Sequence, residues 1–169
     1  NHPLNSQMDP EKPREALHRL GATKAERLAK APTEREKGFL SAVETLWGDG
    51  DIVERKLGYM EAMSKLHEEY PDDPEVAAFY SLSMLSAISS TGDLSKRLNI
   101  RAGDIALRLL KENPNHPGGV HYTIHSFDDP LLAPLALEAA HRFAEISPSV
   151  SHAIHMPTHI FIQHGMWDH

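Results

Sequence analysis

The chain has 169 residues, 40% of them apolar and 24% charged, a balance that supports a folded domain or short solenoid with a buried core and excludes a disordered polymer. A net charge of −7 with histidines neutral argues against a nucleic-acid backbone as partner, and no run approaches the roughly 20 apolar residues of a bilayer span. With no cysteine, disulfides and thiolate metal sites are unavailable. The composition predicts a soluble chain, cytoplasmic or exported. It opens Asn1-His2-Pro3 without an initiator methionine and stops at Trp167-Asp168-His169 in mid-repeat, so it reads as a fragment of a longer protein, and any signal peptide before it would be out of sight.

Proline-marked breaks divide the chain into helical pieces. An incoming helix is predicted over residues 10–30. Thr33 with Glu36 makes a capping box for a first hairpin over 33–70. Its apolar stripe of Phe39, Leu40, Val43, Leu46 and Trp47 stops at Gly48-Asp49-Gly50, and Val53, Leu57, Met60, Met63, Leu66 and Tyr70 continue on the returning helix. Asp73 before Pro74 starts a second hairpin over 73–112, with Leu94, Leu98, Ala102, Ile105 and Leu109 along its second half. A third hairpin occupies 117–146, where Asp129 before Pro130 offers another cap, and an unpaired first helix follows over 150–164. No segment alternates apolar and polar long enough to make a strand. The intervals between Pro32, Pro71, Pro114 and Pro148 are 39, 43 and 34 residues. The expected fold is therefore all-α, a single right-handed superhelical stack of helix–turn–helix repeats spanning 1–169. The last helix lacks its partner, so Phe161, Ile162, Met166 and Trp167 should form apolar surface that missing sequence or another copy would cover, giving a homo-oligomer.

Histidine is concentrated at one end: three of the 12 fall in residues 1–115 and nine in 116–169. His121 and His125 are four apart, as are His155 and His159, and the two pairs are separated by 34 residues. Positions i and i+4 share a helix face. One repeat interval thus places two pairs at equivalent positions on neighbouring helices, whose axes pack about 8–10 Å apart. Four imidazoles without thiolates suit Zn²⁺, Cu²⁺ or Ni²⁺. His152 and His164 stand nearby as extra donors. The competing reading packs these histidines along a groove, bonded to groups such as Ser126 and Thr158. Pro157 falls inside the second pair, where it removes a backbone hydrogen bond and either bends the helix or restarts it, and a restart would cost His155 and His159 their shared face.

Residues 116–130, HPGGVHYTIHSFDDP, followed by 155–168, HMPTHIFIQHGMWD, resemble a family of bacterial tetratricopeptide-like proteins. Asn113-Pro114 and Gly165-Met166-Trp167-Asp168 occupy places where such repeats carry Asn-Pro and Gly-x-Tyr/Trp-Asp. The resemblance is specific over 113–168 and rests on hairpin rhythm over 33–112. Its departures are the irregular period and His164 where a leucine usually precedes the glycine. The resemblance implies a helical-repeat fold in a binding or scaffolding role and supplies no reaction.

No His-Glu-x-x-His, Gly-x-Ser-x-Gly or phosphate-cradling glycine loop is present. The leading expectation is a non-enzymatic module that holds a protein or peptide in a concave groove lined by Tyr122, His152 and His164. The alternative is a metalloprotein with His121, His125, His155 and His159 as ligands, carrying hydrolytic or redox activity. Asp128 and Asp129 could act as acid–base groups beside His125, although Asp129 is better placed as a cap. Gly118-Gly119 reads as close packing at a helix start. Trp47, Tyr59, Tyr70, Phe79 and Tyr80 read as core. Lys96, Arg97, Arg101 and Arg108 make a basic strip on one helix, suited either to solvent or to a peptide carboxylate.

Overall fold

A computed structural model of the chain describes residues 9–168 as α-helices, a 3-10 turn and short connections, with no strand among the described residues. The opening Asn1-His2-Pro3 and the closing His169 lie outside the described residues. The all-α expectation holds, and among the described residues no helix is long and apolar enough to cross a membrane. The chain divides into two compact units, Asn1–Leu94 and Ser95–His169.

The first unit contains α1 (Glu11–Leu20), α2 (Lys24–Ala29), α3 (Glu34–Leu46), α4 (Ile52–Glu69) and α5 (Pro74–Thr91). The single helix expected over 10–30 is two. Gly21 is fully extended after α1, and Thr23 starts a new helix with a capping box to Glu26, whose carboxylate accepts from the Ala22 and Thr23 amides. The same device opens α3 at Thr33 with Glu36, as expected, and α4 at Asp51 with Glu54. Asp73 caps α5 ahead of Pro74 and also receives Arg35 through Nε and Nη2 at 2.6 and 3.0 Å. The guanidinium, with the Val76 amide, holds the Asp73 carboxyl below its usual range despite partial burial.

Close packing follows from small residues at contact points. A Cβ on Gly38 would stand 2.3 Å from Leu66 Cδ1, so α3 and α4 approach where glycine permits it. Trp47, Tyr59 and Tyr80 are core residues as expected. Tyr70 is only half-buried, and Phe79 stays partly exposed, meeting Phe39 edge-on at 5.6 Å. Lys56 is fully buried, with Nζ donating to Ser89 Oγ at 2.8 Å. Burial, reinforced by the neighbouring Arg55 charge, lowers its pKa to about 8.

The second unit contains α6 (Arg97–Glu112), α7 (Pro117–Phe127), a 3-10 turn (Ala133–Ala136), α8 (Leu137–Ile146) and α9 (Ser151–Gln163). The helix pair expected over 73–112 is shared between units, α5 in the first and α6 in the second. Val120, Ile124 and Phe127 of α7 pack with Phe143 of α8 and with Met156, Ile160 and Phe161 of α9. The Phe127 ring lies on Gly103, where a Cβ would come within 2.1 Å of Cζ, and Gly119 brings the start of α7 against Leu109 and Leu110. Asp129 shapes the turn before the 3-10 segment, its side chain accepting from Leu131 N, and pairs with Lys96 at 2.9 Å. Of the surface expected at the end of the chain, Ile162 and Trp167 are exposed, whereas Phe161 and Met166 pack into the unit.

Candidate metal centre

Two faces of the second unit converge on the histidines. On α7 the buried stripe is Val120, Ile124 and Phe127, and His121 and His125 lie one position round from it. On α9 the buried positions are Ala153, Met156, Pro157, Ile160 and Phe161, and His152, His155 and His159 border them at i, i+3 and i+7. The stripes pull the helices together, and the imidazoles are left along the rim of the seam. Pro157 does not break α9, which runs through it from Ser151 to Gln163. His155 and His159 keep a common face, their Nε2 atoms 3.0 Å apart.

The rungs across the seam fix its register. His121 meets His152, and Asp128 meets His159. Both partners advance by seven residues, so α7 and α9 run in the same direction with α8 returning between them. The contact offset is 31 residues, three short of the 34-residue sequence offset.

His121, His125 and His152 form a tight group. His121 Nε2 lies 3.0 Å from His152 Nε2 and 3.0 Å from His125 Nε2, and the three nitrogens all lie within 4.8 Å of one another. The His121 ring is held by stacking on Phe143, with centroids 5.0 Å apart and planes 26° from parallel, and on Tyr122 at 5.4 Å. His121 and His125 are half-buried and His152 is exposed, so the group opens to solvent on one side.

The second pair is organised separately. His159 Nδ1 donates to Asp128 Oδ2 at 2.9 Å, and Asp128 Oδ1 accepts from Gln163 Nε2 at 2.5 Å. With its proton committed at Nδ1, neutral His159 presents an Nε2 lone pair toward His155. The His152 and His155 rings are 6.5 Å apart between centroids, which makes the two groups neighbours on one rim.

The four histidines at 121, 125, 155 and 159 are thus not gathered into one set: the first two take His152 as their third member, and the last two face each other. Tyr122 supports the first group from its half-buried position. His164 forms the C-cap of α9, outside the three-nitrogen group. Asp128 serves His159 rather than standing as an acid–base group beside His125. Asp128 as a histidine-orienting carboxylate had no local sequence signal; the 31-residue contact offset is what brings it there.

Comparison of the chain with protein-family models, with curated proteins and with solved structures gave no match in any of the three.

Proposed function

We propose that the second unit is a transition-metal-binding helical module, with His121, His125 and His152 as ligands to Zn²⁺, Cu²⁺ or Ni²⁺. One observation carries this reading. A single nitrogen, His121 Nε2, makes two 3.0 Å approaches to other imidazole nitrogens. A ring nitrogen carries either one hydrogen or one in-plane lone pair, so it cannot form two well-directed bonds to two such neighbours. One cation satisfies three convergent lone pairs at once. Bonds of about 2.0–2.1 Å in tetrahedral geometry set donor nitrogens about 3.3 Å apart, a few tenths of an ångström from the spacing present. The packing of His121 between Phe143 and Tyr122 supports the same reading, because a held ring loses little freedom when it ligates. The exposed side leaves a position for water or an incoming ligand.

The stacking that accompanies it is tetratricopeptide-like. Support comes from the parallel run of α7 and α9 with α8 between them, the arrangement of one complete repeat followed by the first helix of the next. A peptide-binding role for that scaffold is the second reading, favoured by the half-exposed Ile154 and Ile162 on α9.

The test is titration of protein purified without a metal-affinity step. Co²⁺ should give visible d–d absorption, and Zn²⁺ should raise the melting temperature. A ligand at 100 times its dissociation constant adds about 2.7 kcal/mol to stability. His121→Ala should weaken binding by at least about 100-fold, a size already seen for outer-shell losses alone. The absence of both, with no absorption from Co²⁺ and no melting shift with Zn²⁺, Cu²⁺ or Ni²⁺, would remove the reading. The peptide reading fails separately if Ile154→Glu with Ile162→Glu leaves every captured partner unaffected.

A further inference from the structure

We infer that His155 and His159 form a second metal position beside the first, so that the rim of the α7–α9 seam takes two divalent transition-metal ions. This rests on the three-histidine reading for its neighbour, but its evidence is separate.

His155 and His159 are one helical turn apart on α9, and their Nε2 atoms approach to 3.0 Å, the same spacing as in the first group. The two rings are nearly perpendicular, at 89° with centroids 4.9 Å apart, so they meet at the edge and do not stack. The His159 Nδ1–H is engaged by Asp128, which fixes the tautomer and orients the ring with Nε2 toward His155. Asp128 is itself held by Gln163 one turn beyond His159, so the support is built from two elements, the end of α7 and the end of α9. His155 is exposed and His159 half-buried, leaving water to complete the coordination. A plain N–H···N hydrogen bond from His155 to His159 would also fit the 3.0 Å contact, and metal stoichiometry separates the two.

The experiment uses the whole chain, stripped of metal and dialysed against Zn²⁺, with bound zinc counted by elemental analysis and folding checked by circular dichroism. The wild type should hold two ions. His155→Ala with His159→Ala should hold one, and His121→Ala with His125→Ala should also hold one. Asp128→Asn, which keeps the shape and removes the charge, should weaken only the His155–His159 ion, by about 10- to 100-fold as for other outer-shell carboxylates. One zinc in the wild type, kept when His155 and His159 are removed and lost when His121 and His125 are removed, would overturn the second position and leave the first standing. No zinc at all would overturn both.

Discussion

Replacing Lys56 with methionine should stabilise the protein near neutral pH and should do so less as the pH rises. Lys56 Nζ is buried in the first unit, near Ser89 Oγ and the Arg55 charge, and its pKa falls to about 8 from 10.5. The ammonium is therefore less favourable in the fold than in the open chain. At 1.36 kcal/mol per pH unit, that gap corresponds to about 3 kcal/mol charged against the folded state below pH 8. The sign follows from proton counting. Between about pH 8 and 10.5 the unfolded chain binds more protons at this site, so the lysine's penalty shrinks as pH rises through that window. Methionine fills a similar volume with no charge, so the gain over wild type should reach about 1–3 kcal/mol at pH 7, lowered by the lost Ser89 bond, and shrink through pH 10. Urea unfolding of both proteins at pH 7, 8, 9 and 10 measures it. Trp47 fluorescence is a suitable probe, since that indole is buried in the same unit while Trp167 is exposed. A variant less stable than wild type at pH 7, by an amount unchanged across the series, would refute the reasoning and show that the charged form of Lys56 carries no penalty in the fold.

Gly103→Ala should cost about 1–3 kcal/mol, because the new methyl would meet the Phe127 ring at 2.1 Å from Cζ and the ring end cannot move without disturbing the α6–α7 contact. Thermal unfolding of the second unit reports it, and an unchanged melting temperature would show that Phe127 has room to shift. Asp73→Ala removes both a helix cap and the Arg35 pair, for a loss of about 1–2 kcal/mol in urea titrations. Since Arg35 and the Val76 amide depress the Asp73 pKa, its contribution is complete above the unfolded carboxylate range and is lost as acid takes the pH down through the lower folded value. The variant's acid-unfolding curve should therefore be shallower than that of wild type.

Helix starts were the most legible part of the sequence. Thr33 with Glu36 and Asp73 with Pro74 encode their caps within four residues, and the structure uses both. Thr23 with Glu26 is equally local, yet a single helix over 10–30 takes no account of it or of the break that Gly21 opens. The histidine group was only half legible, for a geometric reason. Residues at equivalent places on two parallel helices such as α7 and α9 point the same way, so the forward side of one meets the backward side of the other. Equivalent histidines such as His121 and His155 cannot then face each other, and His121 meets His152 instead. Pro157 misled in the other direction. A missing amide in α9 did not separate His155 from His159, because the helix continues through the proline while that residue is buried.

The order in which the chain packs also sets when a metal could matter. In the first unit the main helix contacts join α2 to α3, α3 to α4 and α4 to α5, all neighbours along the chain. Such short loop closures favour fast folding. The histidine rim, like the Arg35–Asp73 and Phe39–Phe79 contacts of the first unit, joins helices across an intervening one, since α7 touches α9 across α8. Its ligands come together only when the chain has gone out along α8 and returned. An ion that needs all three rings in place binds the native unit and not the open chain, so it would act chiefly by slowing escape from the native state and lengthening the lifetime of the second unit.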